Sequence, residues 1–169
     1  RVKKLEFTTE KRPQFRAFAL NLRRENFANA GTRQPIGILF DFEWANRNLF
    51  FGAYKRSNSV FERSDFAARG TPGEAELKLL EPLRDKLPAA AFGPAVMQNV
   101  TDGTGRDRSI FRKADKLFQQ AGWTKKDGQL ADVNGRQLAM EVLIDNQVFE
   151  RMLSPFGENL RAMGIAVSL

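Results

Sequence analysis

The residues from Leu138 onward constrain this chain more than any others. Leu138, Met140, Val142 and Ile144 stand at alternate positions, the period of a strand with one buried face. Phe149, Met152, Leu153, Phe156, Leu160 and Met163 then share one helical stripe, and Gly164 stands where such a helix needs a residue that accepts positive φ. Ile165–Leu169 resumes the alternation. Asp145 is placed to cap the helix, and Pro155 inside it removes a backbone donor and should bend it. A strand, a helix and a strand joined by short connections form a βαβ unit, expected to be parallel and right-handed. The fold class that follows is α/β.

The preceding third reads in the same way. Ile110, Phe111, Ala114, Leu117, Phe118 and Ala121 mark an amphipathic helix that Gly122 stops, with Trp123 placed to fold back on it. Asp127-Gly128 and Asn134-Gly135 are turn dipeptides of the kind that close hairpins. Nearer the start, residues 1–12 are charged with sparse apolar points, as in an edge strand or connector. Gln14–Leu22 carries apolar side chains on both alternating sets, which predicts a strand buried on both faces. Thr32 is a candidate cap for a helix over 33–40, with Pro35 in its first turn. Thr71-Pro72-Gly73-Glu74 reads as a capping box ahead of Leu77, Leu80 and Leu83, until Pro82 and Pro88 break the run. Residues 89–106, rich in Ala, Pro and Gly, read as an internal loop or linker. Thr101–Gly105 within them lacks the lysine of a phosphate loop and reads as a turn.

Composition removes several chemistries. The chain has neither Cys nor His, which excludes thiolate nucleophiles, His general bases, Ser–His–Asp triads and the usual zinc ligand sets. No catalytic, cofactor-binding or metal-binding residue is expected. Carboxylate pairs such as Asp41/Glu43 and Glu74/Glu76 exist, but i, i+2 spacing on a helix does not bring two carboxylates to one point. The net charge of +7 raises the alternative of a basic nucleic-acid-binding α/β domain. Six Lys or Arg fall within residues 1–16, while elsewhere the basic residues mostly alternate with acids as on a solvated face. With no zinc finger, RNP motif or base-reading helix, no nucleic acid is expected as a partner. No apolar run reaches the ~20 residues needed to span a bilayer.

Phe40–Phe61, FDFEWANRNLFFGAYKRSNSVF, is the stretch with the strongest binding character. Asp41 is a good helix N-cap, Glu43 suits the first turn, and Phe42, Ala45, Leu49 and Phe50 form an apolar stripe ended by Gly52. Tyr54, Lys55, Arg56, Ser57, Asn58 and Ser59 then place aromatic and hydrogen-bonding groups on a segment without helical period. A short buried helix that delivers a polar, aromatic loop suits one wall of a binding cleft.

That stretch, followed by LEPLRDKLP at 80–88, VTDGTGRDR at 100–108, FRKADKLFQQAGWTKKDGQL at 111–130 and FERMLSPFGENLRAMGIAVSL at 149–169, resembles the family 5 extracellular solute-binding proteins. Within the family it is similar to the YejA-type oligopeptide-binding branch, the periplasmic receptors of ABC importers in Gram-negative bacteria. The resemblance implies one lobe of a two-lobed receptor, with a mixed sheet flanked by helices. It implies that residues 1–169 are a fragment, since members are several times longer and carry a signal peptide ahead of the lobe. It also implies an oligopeptide or peptide-like ligand, held by backbone hydrogen bonds and terminal charges in an interlobe cleft, and permease subunits as membrane partners of the whole protein. The matching positions for ligand contact are Tyr54, Arg56, Asn58, Ser59 and Phe61. There Arg56 is suited to a bidentate carboxylate pair, and Tyr54 and Phe61 to an apolar wall.

Overall fold

The computed structural model describes residues 3–5, 7, 16–144, 146 and 149–168. The chain divides into two compact units, one of Arg1–Phe18 with Ser57–Met97 and the other of Ala19–Arg56 with Gln98–Leu169.

The second unit holds a continuous hydrophobic core. Its first helices are α1 (Glu25–Ala28) and α2 (Ala30–Ile38). The cap of α2 is Asn29, whose Oδ1 accepts from the Gly31 N–H at 2.8 Å, and not Thr32. Thr32 lies inside the helix, fully buried, where its Oγ1 accepts from the Trp123 indole N–H at 2.8 Å. The helix therefore begins three residues earlier than the spacing predicts, and Pro35 sits mid-helix with its ring buried. α3 (Phe42–Asn48) follows directly, with Ala45 buried and Phe42, Leu49 and Phe50 half-buried.

α5 (Arg108–Gln120) is capped by Asp107, which accepts from the Ser109 and Ile110 N–H groups. It turns Ile110, Ala114 and Phe118 into the core against α2. After Gly122 the chain folds back, the Trp123 N–H donating to the Phe118 carbonyl at 2.9 Å. β1 (Thr124–Lys126) and β2 (Gln129–Ala131) pair antiparallel around Asp127-Gly128, both at positive φ, the type I′ hairpin that Asp-Gly favours. Asn134-Gly135 lies in a longer, five-residue excursion that returns to an isolated bridge between Ala131 and Gln137.

β3 (Ala139–Glu141) pairs parallel with β4 (Ala166–Ser168), Met140 opposite Val167, with α6 (Glu150–Met163) between them in sequence. This is the parallel strand–helix–strand unit expected from the apolar pattern. The expected Asp145 cap and the strand's last residue, Leu169, lie outside the described residues. α6 buries Leu153, Phe156, Leu160 and Met163 on one face. Gly164 closes it at φ 102°, and a Cβ there would stand 2.6 Å from the Leu130 nitrogen. Both the backbone and the space exclude a side chain at this position. The Leu130 N–H donates to the Gly164 carbonyl at 2.9 Å, and the Leu130 carbonyl accepts from the Leu138 N–H at 2.8 Å. In place of one mixed sheet, the described residues form two two-stranded sheets, one antiparallel and one parallel.

Over its described part, Arg16–Leu22, the expected strand at Gln14–Leu22 does not form. Residues 14 and 15 lie outside the described residues, and Arg16–Leu22 has no regular secondary structure up to a turn at Leu22, is largely exposed and pairs with no described strand. Its alternation satisfies the side-chain period, but a strand also needs a neighbour for its backbone groups. Of residues 1–12 only 3–5 and 7 are described, and none of those four is in a strand.

In the first unit, α4 (Glu74–Leu80) runs into short 3₁₀ turns at Glu81–Lys86 and Ala89–Phe92. Its N-cap is Gly73 rather than Thr71. The reaching carboxylate is that of Glu76, which accepts from the Gly73 N–H at 2.8 Å. The capping pattern slides by two residues because Glu76, not Glu74, stands at the third helical position.

Candidate functional site

Helix α3 and its neighbours position the candidate binding segment. Asp41, with φ −81° and ψ 89°, is not helical. Its Oδ1 therefore accepts from the Trp44 N–H at 2.9 Å and from the Thr101 hydroxyl, while its Oδ2 accepts from the Gly105 N–H at 2.8 Å. Glu43, two residues on, accepts from the Thr101 N–H at 3.0 Å and from the same hydroxyl at 2.8 Å. The Arg47 guanidinium donates to the Gly103 carbonyl. The cap residue and two side chains of one short helix thus clamp the loop from Thr101 to Gly105. The i, i+2 spacing of Asp41 and Glu43 predicts divergence, yet the two carboxylates converge on one hydroxyl. The spacing rule holds for two helical residues, and Asp41 precedes the helix.

Past Asn48 the chain makes a strained exit. Phe51 has φ 53° and Gly52 φ 75°; the first is an unusual conformation for an aromatic residue. Phe51 is 90% exposed. The turn is held by Asn46, whose side-chain amide donates to the Tyr54 carbonyl at 2.8 Å and accepts from the Tyr54 N–H at 3.0 Å. Tyr54 is exposed, its ring edge-on to Phe50 with centroids 4.9 Å apart.

Arg56 is half-buried over the start of α3. Its guanidinium carbon lies 5.5 Å from the Phe40 ring centroid and 5.4 Å from that of Phe42, cation–π distances for a cation partly withdrawn from water. Its nitrogens donate to the Phe40 carbonyl at 3.5 Å and to Gln98 Oε1 at 3.3 Å. Burial pushes the guanidinium below its ordinary value, and the Glu43 and Asp41 charges act in the opposite direction.

Asn58, Ser59 and Phe61 belong to the other unit. The Asn58 N–H donates to Glu62 Oε2 at 3.1 Å, and the half-buried Ser59 hydroxyl accepts from the Phe61 N–H at 3.0 Å. Phe61 is exposed and tilts against Phe66 with centroids 6.1 Å apart. Tyr54 and Arg56 thus fall within one unit and the remaining three within the other. The clamp residues Thr101 and Arg47 escape sequence reading, because a threonine in a turn and an arginine on a short helix carry no periodic signal. Among the described residues no three His, Cys, Asp or Glu side chains gather to hold a metal ion, and no helix is long and apolar enough to cross a membrane.

The fold recurs within longer chains of solved structure. NikA from Brucella suis, solved in complex with Fe(III)-EDTA, superposes with a TM-score of 0.54 at 21% identity, over 89% of this chain and 24% of NikA. AppA from Bacillus subtilis, an oligopeptide-binding protein solved with a nonapeptide, gives 0.52 at 20% identity, over 88% of this chain and 24% of AppA. Closer in sequence are protein YejA of Escherichia coli (strain K12), 37% identical over 91% of this chain and 26% of its own length, and the "Peptidoglycan-binding protein YepA" of Agrobacterium fabrum, 35% identical over 88% and 24%. The "Probable peptide-binding protein YejA" of the same organism is 35% identical over 90% and 25%. The family model for the bacterial extracellular solute-binding proteins, family 5 Middle, matches residues 1–169. The chain belongs to that family, and it spans about a quarter of the length of these relatives.

Proposed function

We propose that this chain is part of one lobe of a periplasmic oligopeptide receptor, which captures its ligand in an interlobe cleft and delivers it to the permease of an ABC importer. The role is binding rather than turnover. The observation that carries this reading is the match to the family along the whole chain, with relatives named for binding peptides and peptidoglycan. Their common chemistry is the peptide backbone with charged ends, and that is the ligand class proposed here.

Tyr54, Arg56, Asn58, Ser59 and Phe61 are the proposed contacts. Supporting Tyr54 is the Asn46 clasp, which fixes its backbone while its ring stays in solvent. Supporting Arg56 is a guanidinium already ordered by two rings and Gln98, so that a ligand carboxylate would meet a cation whose side-chain entropy is largely spent. In the full-length receptor, Arg56→Ala should weaken binding of a short peptide by about 1–3 kcal/mol, the range for a charge-assisted hydrogen bond. Calorimetry against the same peptide with a free and an amidated carboxyl end separates a ligand contact from a structural role. Loss of affinity for the free acid alone supports the contact. Equal loss for both means that Arg56 serves only the packing of Phe40 and Phe42, and unchanged affinity in Arg56→Ala, Ser59→Ala and Tyr54→Ala alike removes the segment from the site.

A further inference from the structure

The solvent face of α5 is basic without compensation. Ile110, Ala114 and Phe118 point one side of the helix into the core. Arg108, Arg112 and Lys116 recur every fourth residue on the other side, a row about 12 Å long at 1.5 Å per residue. Lys113, Ser109, Gln119 and Gln120 fill out that exposed face. Lys113 is tied to the Asn99 side chain, but Arg108, Arg112 and Lys116 meet no carboxylate or other partner among the described residues. The one acid on the helix, Asp115, is half-buried at the margin and accepts from the Gln119 amide at 2.8 Å. A solvated helix usually interleaves its charges with acids at i±4, and the sequence pattern of alternating signs leads one to expect that here; this face does the opposite.

We propose that this row is a docking surface for the anionic headgroups of a phospholipid membrane. Charge complementarity names the sign of the partner, and the composition of the face names its kind. Docking sites for folded proteins centre on aromatic or aliphatic anchors, and this face has none, only long cationic side chains among Ser and Gln. A plane of mobile headgroups asks for positive charge without shape, each Lys or Arg adding to the attraction and salt weakening it. The extracellular family to which the chain belongs makes a lipid surface the anion at hand, so the proposal rests on membership of that family and not on the peptide reading.

The test is cosedimentation of the full-length receptor with vesicles of phosphatidylcholine, alone and mixed with phosphatidylglycerol. Retention on the anionic vesicles at low salt, lost on neutral vesicles and at high salt, is the expected result. The triple variant Arg108→Gln, Arg112→Gln and Lys116→Gln should reduce that retention about tenfold or more. A control that removes the same charge elsewhere, Lys55→Gln, Arg69→Gln and Lys78→Gln, should retain it. All six side chains are exposed, and matching thermal unfolding curves confirm that each variant is folded. Absence of retention, equal retention on neutral vesicles, or equal loss in the control overturns the proposal. So does tighter, salt-sensitive retention on duplex DNA than on the anionic vesicles, which would assign the row to a polyanion.

Discussion

Thr32 shows how much a single hydroxyl can decide. It is fully buried beneath Trp123, whose indole N–H has it as acceptor, and a buried donor without a partner costs about 1–3 kcal/mol. Thr32→Val should lower unfolding free energy by that amount in denaturant titration, and Thr32→Ser should recover most of it. Sequence reading places Thr32 at a helix cap because hydroxyls favour caps; Asn29 is equally suited and stands three residues earlier. Asp107 is the residue whose role the spacing leaves unremarked and whose chemistry is pH-dependent. The Ser109 hydroxyl, with the backbone N–H groups of Asp102, Ser109 and Ile110, holds its carboxyl below the usual carboxylate range. Its folded-state value is depressed, so its contribution is complete above the ordinary aspartate range and is lost as pH falls through the folded value. Asp107→Ala should cost about 1 kcal/mol at neutral pH, and the gap between variant and parent should close on acidification. A gap that persists unchanged into strong acid would show that the cap is not the carboxylate.

At the scale of elements, the apolar stripes are what sequence reveals best. α5, α6 and the parallel pairing of β3 with β4 are legible because each stripe is long enough to fix both period and inward face. Leu153, 2% exposed within the α6 stripe, is the residue on which that reading can be weighed. Leu153→Ala should cost about 2–5 kcal/mol on denaturant unfolding, and a loss near zero would mean the stripe does not carry the core. Gln14–Leu22 fails for a reason that no single segment can disclose, since a strand is a relation between two segments and the alternation records only one. The slide of the cap from Thr71 to Gly73 is of another kind. Both registers place a Glu at the third position, Glu74 or Glu76, and only the backbone decides which N–H it meets.

For the molecule as a whole, the family was readable because five separated stretches kept their order and spacing, which is a property of the whole chain. The proposed ligand contacts were not readable to the same degree. Tyr54 and Phe61 are exposed, and exposure leaves no periodic mark, while Arg56 proves to be half-buried on Phe40 and Phe42, a placement that depends on a helix it follows. If the chain supplies only part of a cleft, its affinity measured alone should be far below that of the full-length receptor, because binding energy must first offset lost translational freedom before any surplus appears. Calorimetry with one peptide against both proteins checks this, and equal affinities would place the entire site within these residues.

The bond between Leu130 and Gly164 also has a bearing on time. The β1–β2 hairpin is synthesised before Gly164, so until that residue has been added the Leu130 amide lacks its carbonyl partner. A later segment thus ties down an earlier turn, and because no side chain fits at Gly164, a mistranslated residue there would leave the Leu130 amide without this partner. In a released chain truncated ahead of Gly164, hydrogen exchange at Leu130 should run at the rate of unprotected backbone, whereas in the untruncated chain it should be slowed.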